Sequence, residues 1–158
     1  MLKDLKNKIL NKKAKIGIIG LGYVGLPLAV AFSKHFNVIG FDIDSKKIAE
    51  LEKGIDSTAA VKQEDLLQCK SALTFTNNPS LIKKANYVIV AVPTPVDSAK
   101  KPDLSALKNA SAIIGKNLSN RTIVIYESTV YPGVTEDVCL SILEKESGMS
   151  LKNKEFGL

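Results

Sequence analysis

Residues 15–44 read KIGIIGLGYVGLPLAVAFSKHFNVIGFDID, and the fold follows from this stretch. Ile16-Gly17-Ile18-Ile19 is a short apolar run of the kind a fully buried strand makes. Gly20, Gly22 and Gly25 follow in G-x-G-x-x-G spacing. Val24 to about Lys34 is apolar and helix-forming, and Val38–Phe41 is a second strand-like run. That run ends at Asp42, 22 residues after Gly20. Each part has a physical use. Gly20 permits a tight strand-to-helix turn. Gly22 lets a phosphate group approach the backbone, and Gly25 lets the helix pack close to the strand. The free N–H groups at the helix start face that anion, helped by the helix dipole. An acid at the end of the second strand accepts hydrogen bonds from ribose hydroxyls and repels a 2′-phosphate. The expected ligand is therefore a dinucleotide, NAD rather than NADP. The alternative is a glycine-rich turn that only lets a helix pack on a sheet.

Outward from this unit the pattern repeats. Ser45 is the expected cap of a helix carrying Ile48, Leu51 and Ile55 and ending at Gly54. Val61–Lys70 reads as a short helix, Leu73–Thr76 as a strand, Asn77-Asn78-Pro79 as a turn and Ser80–Lys84 as a helical turn. Tyr87–Val92 is apolar throughout and reads as a buried strand running into Pro93-Thr94-Pro95. A polar loop, Val96–Pro102, precedes a helix capped by Asp103, with Leu104, Leu107, Ala110, Ile113 and Ile114 at helical spacing. Thr122–Tyr126 is the next strand, Glu127–Gly133 a loop and Thr135–Glu146 the last helix. Glu155–Leu158 reads as the start of an unfinished strand. This alternation predicts an α/β fold: a doubly wound parallel sheet in the order 3-2-1-4-5, with a candidate sixth strand.

Composition sets the class. With 158 residues, 45% hydrophobic and 24% charged, the chain has the makings of one globular domain with a real core. No apolar run approaches the roughly 20 residues of a membrane span, and no signal-peptide core is visible, so a cytoplasmic setting is expected. Cys69 and Cys139 are isolated thiols that suggest neither a disulfide framework nor a metal site. The single histidine, His35, reads as a helix-end residue. Of the net charge of +6, residues 1–15 carry +5, from six lysines and one aspartate. A nucleic-acid-binding domain carries a basic face on its folded body, so the charge speaks for a basic tail. Leu2, Leu5, Ile9 and Leu10 make that tail a short amphipathic helix, expected to be solvated or loosely docked, or else to meet an acidic partner. The expected division is an extension, 1–14, and a dinucleotide-binding domain, 15–158.

In a sheet of this kind ligands bind at the carboxyl ends of the strands. Three further loops open there, Asp42–Lys47, Val92–Val96 and Glu127–Val130. Lys47 suits the adenosine side, or is a solvent-facing helix lysine. Thr94, between two prolines, suits the diphosphate-ribose region, or the segment only terminates a strand. Ser128 and Thr129 suit the nicotinamide end, or form a helix-capping turn.

Four motifs in order, GLGYVGLP at Gly20–Pro27, the Gly40-Phe41-Asp42 strand end, VPTP at Val92–Pro95 and ESTV at Glu127–Val130, resemble the N-terminal domain of the UDP-glucose/GDP-mannose dehydrogenase family. KPDLSAL at 101–107 and YESTVYPGVTED at Tyr126–Asp137 are most similar to the branch acting on UDP-N-acetylhexosamines. The resemblance implies oxidation of C6 of a nucleotide-sugar from alcohol to carboxylate with two NAD, in a homo-oligomeric enzyme with no nucleic-acid or membrane partner. It implies pyrophosphate at Gly20, Gly22 and Gly25, through the amides of Tyr23 and Val24. Asp42 and Lys47 would meet the adenosine ribose. Val92, Thr94 and Pro95 would line the middle of the cofactor, with Ser128, Thr129 and Val130 near the nicotinamide. Thr129 would stand closest to the chemistry, in a supporting role. The family's glutamate, lysine, asparagine and nucleophilic cysteine lie downstream of the matched region, as do its dimerising helix and UDP-binding domain. The chain is therefore expected to bind NAD weakly and to turn over nothing. Two other readings share the glycine loop: a β-hydroxyacid dehydrogenase domain, and a nucleotide-sensing regulatory module as in potassium-uptake regulators. Neither needs the VPTP and ESTV loops.

Overall fold

A computed structural model describes residues 2–96 and 102–158, without the side chain of Leu2. The central part of the expected Val96–Pro102 loop, and Lys101 of the KPDLSAL run, lie outside the described residues. Helix α1 (Leu2–Leu10) leads into strand β1 (Lys15–Ile19), helix α2 (Gly25–Ser33), strand β2 (Asn37–Phe41), helix α3 (Ser45–Glu52), helix α4 (Gln63–Gln68) and strand β3 (Leu73–Thr76). Strand β4 (Tyr87–Val90), helix α5 (Ser105–Lys116), strand β5 (Ile123–Tyr126) and helix α6 (Leu140–Ser147) complete the chain. The five strands form one sheet in the order β3-β2-β1-β4-β5, with every pairing parallel. The doubly wound order expected from the sequence is the order found.

Why the strands are apolar throughout is visible in the packing. Side chains alternate between the two faces of a strand, and here both faces are covered. Ile16 and Ile18 of β1 and Ile89 of β4 join a core with Leu26, Ala29 and Val30 of α2, Ile48 and Leu51 of α3 and Leu66 of α4. Ile19, Val88, Val90 and Val124 face the opposite core, built with Leu107, Ala110 and Ile114 of α5, Leu143 of α6 and Phe156. A sheet buried on both sides reads as continuous hydrophobic runs.

Several local readings are adjusted. Asp44, not Ser45, caps α3, accepting from the amides of Lys46 and Lys47. Both residue types cap helices well, and their adjacency hides the boundary. Asp103 accepts from the Ser105 amide at 2.8 Å and so holds the start of α5. Strand β4 stops at Val90, two residues before the expected end, because the chain turns away from the sheet ahead of Pro93. The last helix opens with a π-helical turn, Val134–Cys139, entered from Gly133 at φ +94°. The basic N-terminal helix is not loosely held, since Leu5 is 2% exposed and Ile9 packs on the first core. At the C-terminus residues 155–157 run parallel to the outer edge of β5. The Arg121 amide donates to the Glu155 carbonyl, the Gly157 amide to the Thr122 carbonyl and the Val124 amide to the Gly157 carbonyl, around a bridge between Gly157 and Ile123. The candidate sixth strand is therefore present as a short edge pairing. Among the described residues no helix is long and apolar enough to cross a membrane.

Candidate cofactor site

The carboxyl ends of β1, β2, β4 and β5 open into one cleft of about 670 Å³. Its floor is the turn from β1 to α2. Gly20 sits at φ +92°, and a Cβ there would lie 2.9 Å from the Ala91 carbonyl oxygen. At Gly25 a Cβ would fall 1.8 Å from the Gly20 carbonyl oxygen, so the helix can approach the turn only without a side chain. Gly22 differs. A Cβ there meets nothing within 4 Å, so the fold itself does not need glycine at this position. The open space above it lies in the cleft, beside Tyr23 and Val24. Helix α2 follows Val24, which gives it no side-chain cap, and has no acid in its first turn. Its first N–H groups therefore keep their pull on an anion.

At the end of β2, Asp42 is 7% exposed. Its Oδ2 accepts from the Leu21 amide at 2.9 Å and from Lys47 Nζ at 3.0 Å, and its Oδ1 accepts from the Asp44 amide at 3.0 Å. The carboxylate is thereby fixed at the cleft edge. Each oxygen of a carboxylate can accept about two hydrogen bonds, so Oδ1 retains acceptor capacity. Lys47, on the first turn of α3, is held to Asp42 rather than left in solvent.

The third wall comes from the loops after β4 and β5. Val92, Pro93 and Thr94 lie beside Glu127, Ser128 and Thr129 in this wall. The Thr94 hydroxyl donates to the Thr129 carbonyl at 2.7 Å, and the Ser128 hydroxyl to the Val92 carbonyl at 2.7 Å. The structure thus brings together Gly20, Gly22, Tyr23, Val24, Asp42, Lys47, Val92, Thr94, Ser128 and Thr129. Gly25 is buried beneath the turn. Pro95 and Val130 are not in the lining: the Pro95 carbonyl accepts from the Asp103 amide, and Val130 packs on the second core. Their neighbours Thr94 and Thr129 are in the lining instead.

Thr58 and Asn109 also line the cleft, and sequence reading passed over both. Thr58 is presented by a loop organised on Asp56. Burial would raise the pKa of that carboxyl, but bonds from the Thr58 hydroxyl and the amides of Thr58, Val61 and Ala60 outweigh it and hold the group below its ordinary value. Asn109 lies on α5 with Ala106, Ala110 and Ile113, a helical face of spacing three and four turned to the cleft. That spacing was the available signal for Asn109. Behind this face the Tyr126 hydroxyl and Ser111 Oγ lie 2.7 Å apart, and Ser111 also donates to the Leu107 carbonyl. Burial pushes the Tyr126 phenol well above its ordinary value. It likewise raises the thiols of Cys69 and Cys139, both buried.

An open glycine turn, an uncapped helix start and a fixed carboxylate at the second strand end define a dinucleotide-binding domain of the dehydrogenase type. The comparison with known proteins narrows the class. The profile of the UDP-glucose/GDP-mannose dehydrogenase family, NAD binding domain, matches residues 14–158, and the chain belongs to that family. It is 53% identical over 145 residues to a UDP-N-acetyl-D-glucosamine 6-dehydrogenase of Pseudomonas aeruginosa, covering 92% of this chain and 34% of that protein. It is 48% identical to the protein of the same name from Salmonella typhi, over 91% of this chain and 33% of that one. Among solved structures, a UDP-D-ManNAc dehydrogenase from Pyrococcus horikoshii superposes with a TM-score of 0.82 at 32% identity, over 90% of this chain and 34% of the other. The chain spans about a third of the length of the curated relatives it matches. Its cofactor is NAD.

Proposed function

We propose that this chain is the NAD-binding part, residues 15–158 with a basic extension at 1–14, of an enzyme that oxidises the C6 alcohol of a UDP-N-acetylhexosamine, or a UDP-hexose, to the carboxylate. The observation that carries the cofactor half is Gly22: its Cβ space is empty, lies in the cleft and has no use in the fold. The identity to the UDP-N-acetyl-D-glucosamine 6-dehydrogenases supports the substrate half. Bound NAD supplies the hydride acceptor for both oxidation steps. Gly20, Gly22, Tyr23 and Val24 form the bed for its diphosphate, with Gly25 letting the helix close on the turn. Asp42 accepts from the adenosine ribose, and Lys47 holds that carboxylate. Val92 and Thr94 wall the middle of the cleft, and Ser128 and Thr129 the nicotinamide end, where Thr129 plays a supporting catalytic part. Pro95 and Val130 hold these loops from outside the lining.

The chain's own residues stop short of turnover. A covalent mechanism on an aldehyde needs an accessible thiolate, and both thiols are buried with raised pKa values. The resemblance that gives the reaction also supports a cytoplasmic, homo-oligomeric enzyme. Calorimetric titration of the 158-residue chain tests the cofactor half: saturable NAD binding, tighter than NADP, is expected. Adding UDP-N-acetylglucosamine and following NADH absorbance should give no signal. Absence of NAD binding refutes the cofactor assignment, and NADH production by this chain refutes the division of labour.

A further inference from the structure

We propose that Thr94 and Ser128 are positioning residues whose hydroxyls clamp the loops after β4 and β5 into one preformed wall of the cleft. The proposal rests on reading this cleft as the NAD site. Backbone pairing between the two strands runs out where the Glu127 amide donates to the Val90 carbonyl. Beyond that bond the loops separate from the sheet, yet two side-chain bonds continue the connection. Thr94 reaches from the first loop to the Thr129 carbonyl of the second, and Ser128 reaches back to the Val92 carbonyl of the first, each at 2.7 Å. The arrangement is reciprocal: each loop gives one hydroxyl and one carbonyl.

The direction of these bonds limits what the two hydroxyls do for a ligand. A serine or threonine hydroxyl has one proton to donate, and here both protons go to backbone carbonyls. The oxygens are left as acceptors only. A diphosphate offers nothing but acceptors, so neither hydroxyl is a phosphate ligand. The gain lies elsewhere. Pro93 and Pro95 fix two φ angles in the first loop, and the clamps fix the second loop to it. Loops ordered before the ligand arrives impose no ordering penalty on binding. Thr129 is different, since its hydroxyl makes no bond to the described residues and it lines the cleft directly.

The test uses the whole 158-residue chain, with Thr94→Val, Thr94→Ser and Ser128→Ala. Backbone amide order parameters come first, because they need no ligand. Thr94→Val should loosen Ser128 and Thr129, and Ser128→Ala should loosen Val92 and Thr94, with Thr94→Ser restoring the wild-type pattern. Loosening confined to the substituted loop, or none at all, overturns the proposal. The second arm titrates NAD against ADP, which lacks the nicotinamide half. Loss of one hydrogen bond's worth of preorganisation should weaken NAD by about three- to tenfold, leave ADP within twofold (about the error of titration), and be reversed in Thr94→Ser. Equal weakening of both ligands refutes a positioning role at that end. If wild-type chain binds ADP and NAD not at all, the NAD reading fails, while the order parameters still decide the clamp.

Discussion

Replacing Asp42 by asparagine should move the cofactor preference toward NADP, and the geometry sets how far. The carboxylate is 7% exposed and takes hydrogen bonds from the Leu21 and Asp44 amides and from Lys47. Asparagine keeps one acceptor oxygen but removes the charge. Two like charges about 4 Å apart near a protein surface repel by about 4 kcal/mol, taking an effective dielectric of 20. Solvent access at the cleft mouth halves that to about 2 kcal/mol, or roughly 30-fold in the relative affinity for a 2′-phosphate. The substitution also frees Lys47, whose ammonium now sits 3.0 Å from the carboxylate, to face an incoming phosphate. Binding of NAD should fall, since a charge-assisted bond to ribose becomes a neutral one, by about tenfold. The assay is a pair of titrations, NAD and NADP, on wild-type chain, Asp42→Asn and Asp42→Asn/Lys47→Met. The double variant should keep the part of the NADP gain that comes from removing the carboxylate, lose the part that the freed Lys47 adds, and keep the NAD loss. Thermal melting keeps the comparison fair, because one buried amide hydrogen bond lost should lower the midpoint by only a few degrees in a domain of this size. An unchanged NADP-to-NAD ratio in a folded Asp42→Asn would show that Asp42 does not face the ribose, and the reasoning would fail.

Gly22→Ala should leave the melting temperature unaltered, because its Cβ meets nothing within 4 Å, and still weaken NAD by about tenfold or more through contact with the diphosphate. Gly25→Ala should instead prevent normal folding, visible as loss of a cooperative melt, because its Cβ would fall 1.8 Å from the Gly20 oxygen. For Asp56 the folded-state pKa is lowered from 3.8, so its stabilising effect is complete above that value and disappears as pH falls through the folded one. Urea midpoints of wild type and Asp56→Asn should accordingly differ at neutral pH and converge in acid. Ser111→Ala should destabilise more than Tyr126→Phe, by about 1 kcal/mol in chemical denaturation. It strands the buried Tyr126 hydroxyl, whereas Tyr126→Phe leaves Ser111 bonded to the Leu107 carbonyl.

How much of this was legible in the sequence depends on the range of the cause. The sheet order follows from local signals: apolar runs too short for helices, Gly20 at the first turn, prolines where β4 leaves the sheet. Asp42 was legible because its role is set by its place at a strand end, and a strand end can be counted from the glycine loop. The structure separates the members of the glycine motif, since Gly20 and Gly25 are required by the chain's own backbone and a Cβ at Gly22 would meet nothing within 4 Å. Thr58 was hidden because Asp56 and a loop of its own bring it back to the cleft from beyond α3. The π-helical turn was hidden because residue type does not separate it from an α-helical one, and only the entry at Gly133 distinguishes it.

The hydroxyls mark a sharper boundary. Thr94 and Ser128 were correctly placed at the cleft by sequence, because loop position follows from topology. What each oxygen does with its proton does not follow from topology. Thr94 and the carbonyl that receives its proton are 35 residues apart, and for Ser128 the separation is 36. No residue-type rule links a threonine to the carbonyl of another threonine at that separation. The consequence bears on how such a site is altered. Changing Thr94 or Ser128 to tune ligand contact would act on loop order instead, whereas Thr129 and Asn109, both in the lining, can be changed without breaking the clamp. Substitutions at Asn109 should therefore alter NAD affinity while the order parameters of both loops stay at their wild-type values. A loosened Ser128 in such a variant would mean that the wall is held by α5 rather than by the two hydroxyls.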